Sequence, residues 1–309
     1  MALRIVTGTY GLTQTLKENP DARGGLDLEF IEFDSIPAAM RRQVRNLEFD
    51  ICEMALTTYL CARAAGKPIT AIPVFVTRNF HHWAAFRHVD TGIRAPKDLE
   101  GRQVAVNRGY TVTTGLWIRG VLQHEYGVDL ERITWLPTDE EHVAEYHPPA
   151  NVDYRFRGRS AEELMLKDGV SAAVGDVRSN APEIKPLIPD AREAGFAYYR
   201  KTGIYPINHM VTVSERALAA RPTLARELFE IFKAAKAAYL KRLDAGGDGS
   251  AADKAALAVK AVVGDPFPYG VAANREALEA ATHFCVEQHI TRDKLAVEPL
   301  FAPDTLALA

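Results

Sequence analysis

The sequence predicts an α/β protein of two lobes, with the chain crossing from one lobe to the other twice. Strand-like apolar runs alternate with helical patterns over the first two thirds of the 309-residue chain, which is typical of mostly parallel sheets. Polar segments near residues 77–90 and 196–207 interrupt the alternation, and long helical patterns follow. We therefore assign residues 1–82 and 205–309 to lobe 1 and residues 83–204 to lobe 2.

The N-terminal segment supplies the first elements of lobe 1. Ser35 and Pro37 mark a helix start, because Ser is a common N-cap and Pro fits the first turn. Gly66 closes the next helix, since glycine accepts the left-handed conformation at a helix end. In chain order we expect strands over 3–7, 26–33, 49–54 and 69–76, with helices over 35–46 and 56–65.

The remaining elements follow from the same periodicities. Residues 138–159 are rich in Pro, Asp, Glu and His and predict an irregular segment. Elsewhere we expect strands over 83–87, 103–106, 133–136, 172–174 and 208–213, and helices over 112–126, 161–167, 222–243, 251–263 and 275–288.

Composition argues against a protein that binds nucleic acid or a membrane. A net charge of −3 gives no general attraction to nucleic acid or to an anionic membrane, and no apolar run approaches the ~20 residues that span a bilayer. Cys52, Cys61 and Cys285 cannot all pair and lack metal-ligand spacing, which favours reduced thiols. The N-terminus reads as a strand rather than a signal peptide, so we expect a cytoplasmic protein.

The stretch from residue 69 to residue 119 carries the polar groups of a candidate site. The apolar run 69–76 leads directly into Arg78, His81 and His82. Thr113 and Thr114 begin a helical pattern, and the free N–H groups and dipole of a helix start favour a carboxylate or phosphate. The sequence therefore predicts an anion site beside a pair of histidines.

Motifs in this stretch and beyond it resemble those of the 4,5-dihydroxyphthalate decarboxylase family, in the same order over most of the chain. The matching segments are Pro73-Val74-Phe75 with Arg78, Phe80 and His82; Gly92-Ile93; 96–101; 117–122 with 125–128; 203–209; and Pro268-Tyr269-Gly270 with Asn274-Arg275. Where the family carries Arg-His-Ser, this chain has His81-His82-Trp83, so His82 matches the family's His and His81 replaces its Arg. Residues 107–111 depart from the family as well, so the resemblance is more specific for the family than for the substrate.

The resemblance implies a type II periplasmic-binding-protein-like fold, with three-layer α/β/α lobes joined by two crossings and ligand held between them. It also implies cofactor-independent decarboxylation of an aromatic dicarboxylate such as 4,5-dihydroxyphthalate, which gives protocatechuate and carbon dioxide. That reaction needs a cation for the retained carboxylate and a proton donor over the ring.

These requirements assign roles to residues. We expect His82, supported by His81, to deliver the proton, with His209 at the second crossing as the competing donor, because histidine titrates near neutrality. Each of three residues also has a purely structural interpretation. His209 fits a crossing loop, Arg108 fits a solvated turn, and Asp176 fits the cap of a helix. The expected substrate-binding residues are Tyr10, Thr57, Arg78, Arg108, Tyr110, Thr113, Thr114 and Asp176.

Two alternatives stay open at this point. Glu140, Glu141, His142, Glu145 and His147 resemble a metal cluster, but without a metal-binding motif we interpret them as a solvated segment and expect no metal or cofactor. The protein is either the decarboxylase or a solute-binding protein that closes on a small carboxylate without chemistry. We expect the partner to be a small aromatic carboxylate, and we expect no binding to nucleic acid or to a membrane. A homo-oligomer is compatible with the sequence.

Overall fold

The computed structural model describes residues 2–309, which form two five-stranded sheets surrounded by helices. The strands are β1 (Leu3–Val6), β2 (Leu28–Phe30), β3 (Ile51–Ala55), β4 (Ile69–Arg78), β5 (Ala85–His88), β6 (Gln103–Val106), β7 (Thr134–Pro137), β8 (Ala172–Val174), β9 (Ile184–Pro186) and β10 (Ile207–Ser214). The helices are α1 (Gln14–Glu18), α2 (Ile36–Asn46), α3 (Leu56–Ala64), α4 (Thr113–His124), α5 (Ala161–Lys167), α6 (Ala191–Thr202), α7 (Glu215–Ala220), α8 (Leu224–Asp244), α9 (Ala251–Val263) and α10 (Arg275–Glu287).

The sheets are mixed rather than mostly parallel, which corrects the sequence expectation. The strand orders are β2-β1-β3-β10-β4 and β7-β6-β8-β5-β9. In each sheet the first three strands are parallel, and the strand that enters from the other sheet, β10 or β5, is antiparallel to both of its neighbours. β10 starts beside the end of β4, where Ile207 pairs with Arg78, and β5 starts beside the end of β8, where Ala85 pairs with Val174, so each entering strand runs in the opposite direction.

Each sheet has an apolar core on both faces, as the predicted three-layer lobes require. Successive strand residues point to opposite faces, and Ile51 and Cys52 of β3 accordingly belong to two different buried clusters. In the other sheet, Ala105 of β6 lies in a cluster with α5, whereas Val104 faces the cluster that contains α4. The two-lobed α/β architecture predicted from the sequence is confirmed.

One of these cores extends through both lobes. It joins Met40 and Tyr59 from the first sheet's helices to Trp117 and Trp135 of the second lobe, and includes Phe284 of α10. The strands divide between the sheets at residues 79–84 and 203–206, and each lobe has a buried cluster of its own besides the shared core. The lobe boundaries at residues 82 and 204 stay a prediction.

The contact of α10 with α4 holds the C-terminal segment against the second lobe. The rings of Trp117 and Phe284 lie 5.9 Å apart, edge to face. Arg119 has no exposed surface and donates from Nε to the Gln288 side chain at 2.8 Å, and Gln288 donates to the Leu116 carbonyl at 3.0 Å. Gly120 makes this close approach possible, because a Cβ there would lie 2.4 Å from two atoms of the Phe284 ring.

Across residues 2–309 the helices include none with the length and apolar character to cross a bilayer.

We expect Gly120→Ala to lower the free energy of unfolding by about 1–3 kcal/mol, because the added methyl group overpacks the α4–α10 contact. Urea denaturation of the purified protein measures this loss. In the double variant Gly120→Ala/Phe284→Leu, the smaller side chain makes room for the methyl group, so its loss should be less than the sum of the two single losses. Additive losses would show that the contact with Phe284 is not the cause.

Candidate active site

A cavity of about 130 Å³ lies between the two lobes. Lobe 1 contributes Ala55 at the end of β3 and His209 near the start of β10. Lobe 2 contributes Arg108 after β6 and Asp176 after β8. The carboxyl ends of parallel strands are the usual place for ligands in open α/β sheets, so the cavity is the candidate site.

His209 is oriented in this cavity by a buried carboxylate that the sequence analysis did not single out. Its Nδ1 lies 2.6 Å from Oε1 of Glu53, whose side chain has no exposed surface. The two residues are diagonal neighbours on adjacent strands, since His209 pairs with Ala55 and Val211 pairs with Glu53. A lone acid inside the apolar strand β3 was the signal that could have revealed Glu53, because an acid is rarely fully buried unless paired.

Tyr10 completes the surroundings of Glu53. Its hydroxyl donates to Oε1 of Glu53 at 2.8 Å, and the Gly8 N–H donates to Oε2 at 2.7 Å. Burial, reinforced by the charge of Glu53, raises the pKa of Tyr10 well above its usual range, so the hydroxyl keeps its proton. Tyr10 supports Glu53 and does not line this cavity, so its expected contact with a substrate ring stays a prediction.

The N-terminal turns of α3 and α4 meet at the cavity, one from each lobe. The Thr57 N–H donates to Oγ1 of Thr113 at 3.1 Å, and the cavity is lined by Thr58, Thr113 and Thr114. The first N–H groups of a helix lack intrahelical acceptors, so two positive helix ends converge on this space. Thr57 is itself buried behind the lining, which corrects its expected contact with ligand.

Arg108 adds a full positive charge to the same cavity. Its backbone adopts the left-handed conformation, with φ of 77°. A hydrogen bond of 2.9 Å from the Arg108 N–H to Thr138 Oγ1 fixes this conformation. The side chain is exposed and, among residues 2–309, makes no ion pair or hydrogen bond. Asp176 lines the cavity as expected, with Arg178 at 3.2 Å. Arg108 and the helix ends therefore favour an anionic ligand.

The loop before α4 binds a carboxylate of the protein itself. The N–H groups of Tyr110 and Thr111 both donate to Glu141, and a Cβ on Gly109 would lie 2.8 Å from its two oxygens. The ring of Tyr110 packs away from the cavity under Arg119, 3.9 Å from the guanidinium carbon. The predicted contact of Tyr110 with ligand is therefore corrected, because Glu141 fixes the loop.

The acidic segment around Glu141 carries ion pairs that join the two lobes. Arg41 of α2 pairs with Asp139 at 3.0 Å and with Glu140 at 2.9 Å, and Lys67 pairs with Glu145 at 2.6 Å. His142 lines the cavity with Nδ1 3.1 Å from Thr58 Oγ1. Burial, with Arg41 and Arg108 nearby, lowers the pKa of His142 to about 4.

The structure places His81 and His82 behind the cavity lining. Each side chain is 1% exposed, and Nε2 of His82 lies 2.9 Å from Glu125, next to the C-terminal end of α4. Burial lowers the pKa of His82, and it lowers the pKa of His81 to about 3, with a further contribution from His82. Both rings are thus neutral near pH 7 and lie apart from the cavity, which corrects the expectation that His82 faces the cleft.

Arg78 is also used within the fold. Its guanidinium donates to the Asn274 side chain and the Tyr205 carbonyl and lies over the Tyr205 ring at 4.3 Å. Burial lowers its pKa to about 10, which still leaves a cation at neutral pH. Arg78 therefore ties the second crossing to the C-terminal segment and does not line this cavity, so its expected contact with a bound carboxylate stays a prediction.

The burial of His81 predicts acid sensitivity. An unfolded histidine titrates near ~6.5, so between about pH 6.5 and about pH 3 the unfolded chain binds a proton that folded His81 does not. Stability is complete above this window and falls as the pH drops through it, by at most ~1.4 kcal/mol per pH unit. We expect His81→Asn to flatten the dependence of unfolding free energy on pH, as measured by urea denaturation from pH 7 to pH 4.

His289→Asn is the matched control, because His289 is 53% exposed and pairs only at the surface with Glu131. An equal change of slope in both variants would contradict the assignment to buried His81.

The sequence comparisons agree with the motifs. A family model described as "NMT1/THI5 like" matches residues 22–241, a range that contains every residue lining the cavity. A 4,5-dihydroxyphthalate decarboxylase of Comamonas testosteroni is 29% identical over 256 residues, which cover 79% of this chain and 77% of that protein. Another, of Pseudomonas putida, is 32% identical over 186 residues, covering 60% of this chain and 64% of that protein. The resemblance inferred from the motifs is confirmed.

Solved structures support the fold alone, because their sequence identities are low. The periplasmic aliphatic sulphonate binding protein SsuA of Escherichia coli matches with a TM-score of 0.57 and 13% identity, covering 99% of this chain and 98% of that chain. The desulfurization enzyme DSZB matches with a TM-score of 0.54 and 14% identity, covering 99% and 97%. The periplasmic-binding-protein-like fold is thus confirmed, and because the family model covers most of the chain, the protein belongs to the NMT1/THI5-like family.

Proposed function

We propose that this protein is a carboxy-lyase that removes one carboxylate from an aromatic dicarboxylate of the 4,5-dihydroxyphthalate type. The observation that carries the proposal is the Glu53–His209 pair, which points a histidine into a cavity lined by Arg108 and two helix N-termini. Those are the groups that the reaction needs, namely a proton donor and an anion site. The decarboxylases from Comamonas testosteroni and Pseudomonas putida support the same reaction class.

The anion site holds the carboxylate that the product keeps. The guanidinium of Arg108 provides two parallel N–H donors for the carboxylate oxygens. The N-terminal turns of α3 and α4 add N–H groups and hydroxyls such as that of Thr114. With that carboxylate fixed, the neighbouring ring carbon and its own carboxylate lie toward His209. Binding energy from the retained group thereby positions the reacting carbon.

His209 supplies the proton. Its Nε2 has no hydrogen-bond partner among residues 2–309, whereas Nδ1 faces Glu53. In its charged form the ring donates from Nε2 to the ring carbon that bears the leaving carboxylate, and the hydroxyl para to that carbon donates electron density as the new C–H bond forms. The C–C bond then breaks, its electrons restore the aromatic ring, and carbon dioxide leaves. One proton is consumed per turnover, so His209 regains its proton from solvent.

Glu53 lies 2.6 Å from Nδ1 of His209 and thereby keeps Nε2 directed at the ligand. The cavity of about 130 Å³ is smaller than the roughly 300 Å³ at which ligand pockets begin, so we expect the lobes to open for substrate. The ion pairs of Arg41 with Asp139 and Glu140 would then form again on closure and exclude water from the reaction.

The proton donor is tested by replacing each candidate histidine. We expect His209→Asn to lower kcat for 4,5-dihydroxyphthalate by roughly 10²–10⁴, because a general acid contributes about that much. Glu53→Gln should cause a smaller loss, since His209 remains but the neutral amide holds its ring in place less firmly. Chromatography for protocatechuate and release of carbon dioxide measure turnover, and circular dichroism checks the fold.

His82→Asn distinguishes the two donors and should keep most of the turnover. Loss of turnover in His82→Asn with none in His209→Asn would overturn the assignment of His209. If the parent protein binds aromatic dicarboxylates but releases no carbon dioxide from any of them, the solute-binding alternative replaces the enzyme.

The anion site is tested at Arg108. We expect Arg108→Gln to raise KM by roughly 10- to 150-fold, which corresponds to the ~1.5–3 kcal/mol of a hydrogen bond to a charged group, with a smaller effect on kcat. Arg216→Gln is the matched control, because this arginine is 74% exposed, pairs with Asp50 at 2.8 Å, and neither residue lines the cavity. Similar KM values for both variants would show that Arg108 does not bind the substrate.

A further inference from the structure

Two histidines and a glutamate converge at the outer end of the α4–α10 contact. Nε2 of His124 lies 2.7 Å from Oε2 of Glu287, and Nε2 of His283 lies 3.2 Å from Oε1 of the same carboxylate. One ligand atom from each of the three residues falls within 4.8 Å of the others. The three groups therefore surround one small space with two nitrogens and a carboxylate oxygen.

The helices hold these side chains in that arrangement. His283 and Glu287 are four residues apart on α10 and share one face of it. His124, the last residue of α4, stacks on Phe284 with ring centroids 4.8 Å apart and an interplanar angle of 16°. Phe284 is itself fixed against Trp117 and Gly120, so the rings lie on a packed scaffold and not on a loop.

The local electrostatics favour a cation at this point. His124 is the last residue of α4 and Glu287 is the last residue of α10, so the C-terminal ends of both helices meet at the cluster. The negative ends of two helix dipoles add to the charge of Glu287. The position of the two helix ends is an observation separate from the donor atoms of the three side chains.

We propose that His124, His283 and Glu287 bind a divalent transition-metal ion of the zinc class. Two imidazole nitrogens and one carboxylate suit Zn²⁺, Ni²⁺ or Cu²⁺ and are a poor set for Ca²⁺ or Mg²⁺, which prefer oxygen ligands. Three protein ligands leave a fourth position for water. The ion replaces the direct His–Glu contacts and pins α10 to α4.

The site is separate from the proposed chemistry. Helix α4 has 12 residues, so at 1.5 Å per residue its two ends are about 18 Å apart, with the anion site at one end and His124 at the other. The ion therefore acts on stability, by joining the C-terminal segment to the lobe that carries α4. The sequence expectation of no metal did not consider these residues, because the ligands come from segments that are more than 150 residues apart.

The test uses the full-length protein after treatment with a chelator and its removal. Calorimetric titration with ZnCl₂ and with NiCl₂ should show one saturable equivalent. At a free metal concentration about 100 times Kd, the melting temperature should rise by roughly 4 °C, and CaCl₂ should cause no rise. Both responses should be lost in His283→Ala and in Glu287→Gln.

His289→Ala is the matched control, because His289 is as exposed as His283, at 53%, and also pairs with a glutamate but lacks a third ligand. The control variant should bind and respond as the parent does. Equal binding by the His283→Ala variant and the parent, or no saturable binding by the parent, would overturn the proposal and indicate adventitious binding to surface histidines.

Discussion

The arrangement of the candidate site depends on the burial of Glu53. A carboxylate without exposed surface is costly unless donors surround it, because water no longer solvates its charge. Gly8 and Tyr10 from the loop after β1, and His209 from β10, provide those donors. The need to satisfy one buried group thereby fixes the loop after β1, the strand β3 and the start of β10 relative to one another, and it orients the histidine.

Closure of the lobes depends on charge pairs at the edge and on apolar contact beneath them. Arg41 and Lys67 of lobe 1 face Asp139, Glu140 and Glu145 of lobe 2, and these pairs are partly exposed, so each contributes little and forms or breaks readily. The shared core beneath is fully buried and far less easily opened. Opening is therefore expected at the cavity edge, with the core acting as the fixed base of the movement.

Helix α4 connects several features that have separate sequence signals. Its N-terminal turn supplies Thr113 and Thr114 to the cavity, Arg119 in its middle anchors α10 through Gln288, and His124 at its end belongs to the proposed metal site. A change that shifts this helix acts on all three. The close contact at Gly120 is therefore a constraint on the site as well as on the fold.

The sequence by itself determined the α/β alternation, the two crossings and the family resemblance, because these depend on local periodicity and on motifs in order along the chain. It also identified cavity-lining residues at strand ends and a helix start, namely Arg108, Thr113, Thr114, Asp176 and His209. The sequence did not determine the direction of β10 and β5 within their sheets. That direction depends on which strands each of them lies beside after the chain has crossed between the lobes.

Only the tertiary structure decided which of the three histidines beside the crossings faces the cavity. His81, His82 and His209 all adjoin crossings and are equivalent in a linear reading. Burial separates them, because the first two are enclosed by packing from α4 and α6, whereas His209 meets a carboxylate 156 positions away in the chain. A contact over that separation has no local sequence signal, since it arises only when β3 and β10 become neighbours in the same sheet.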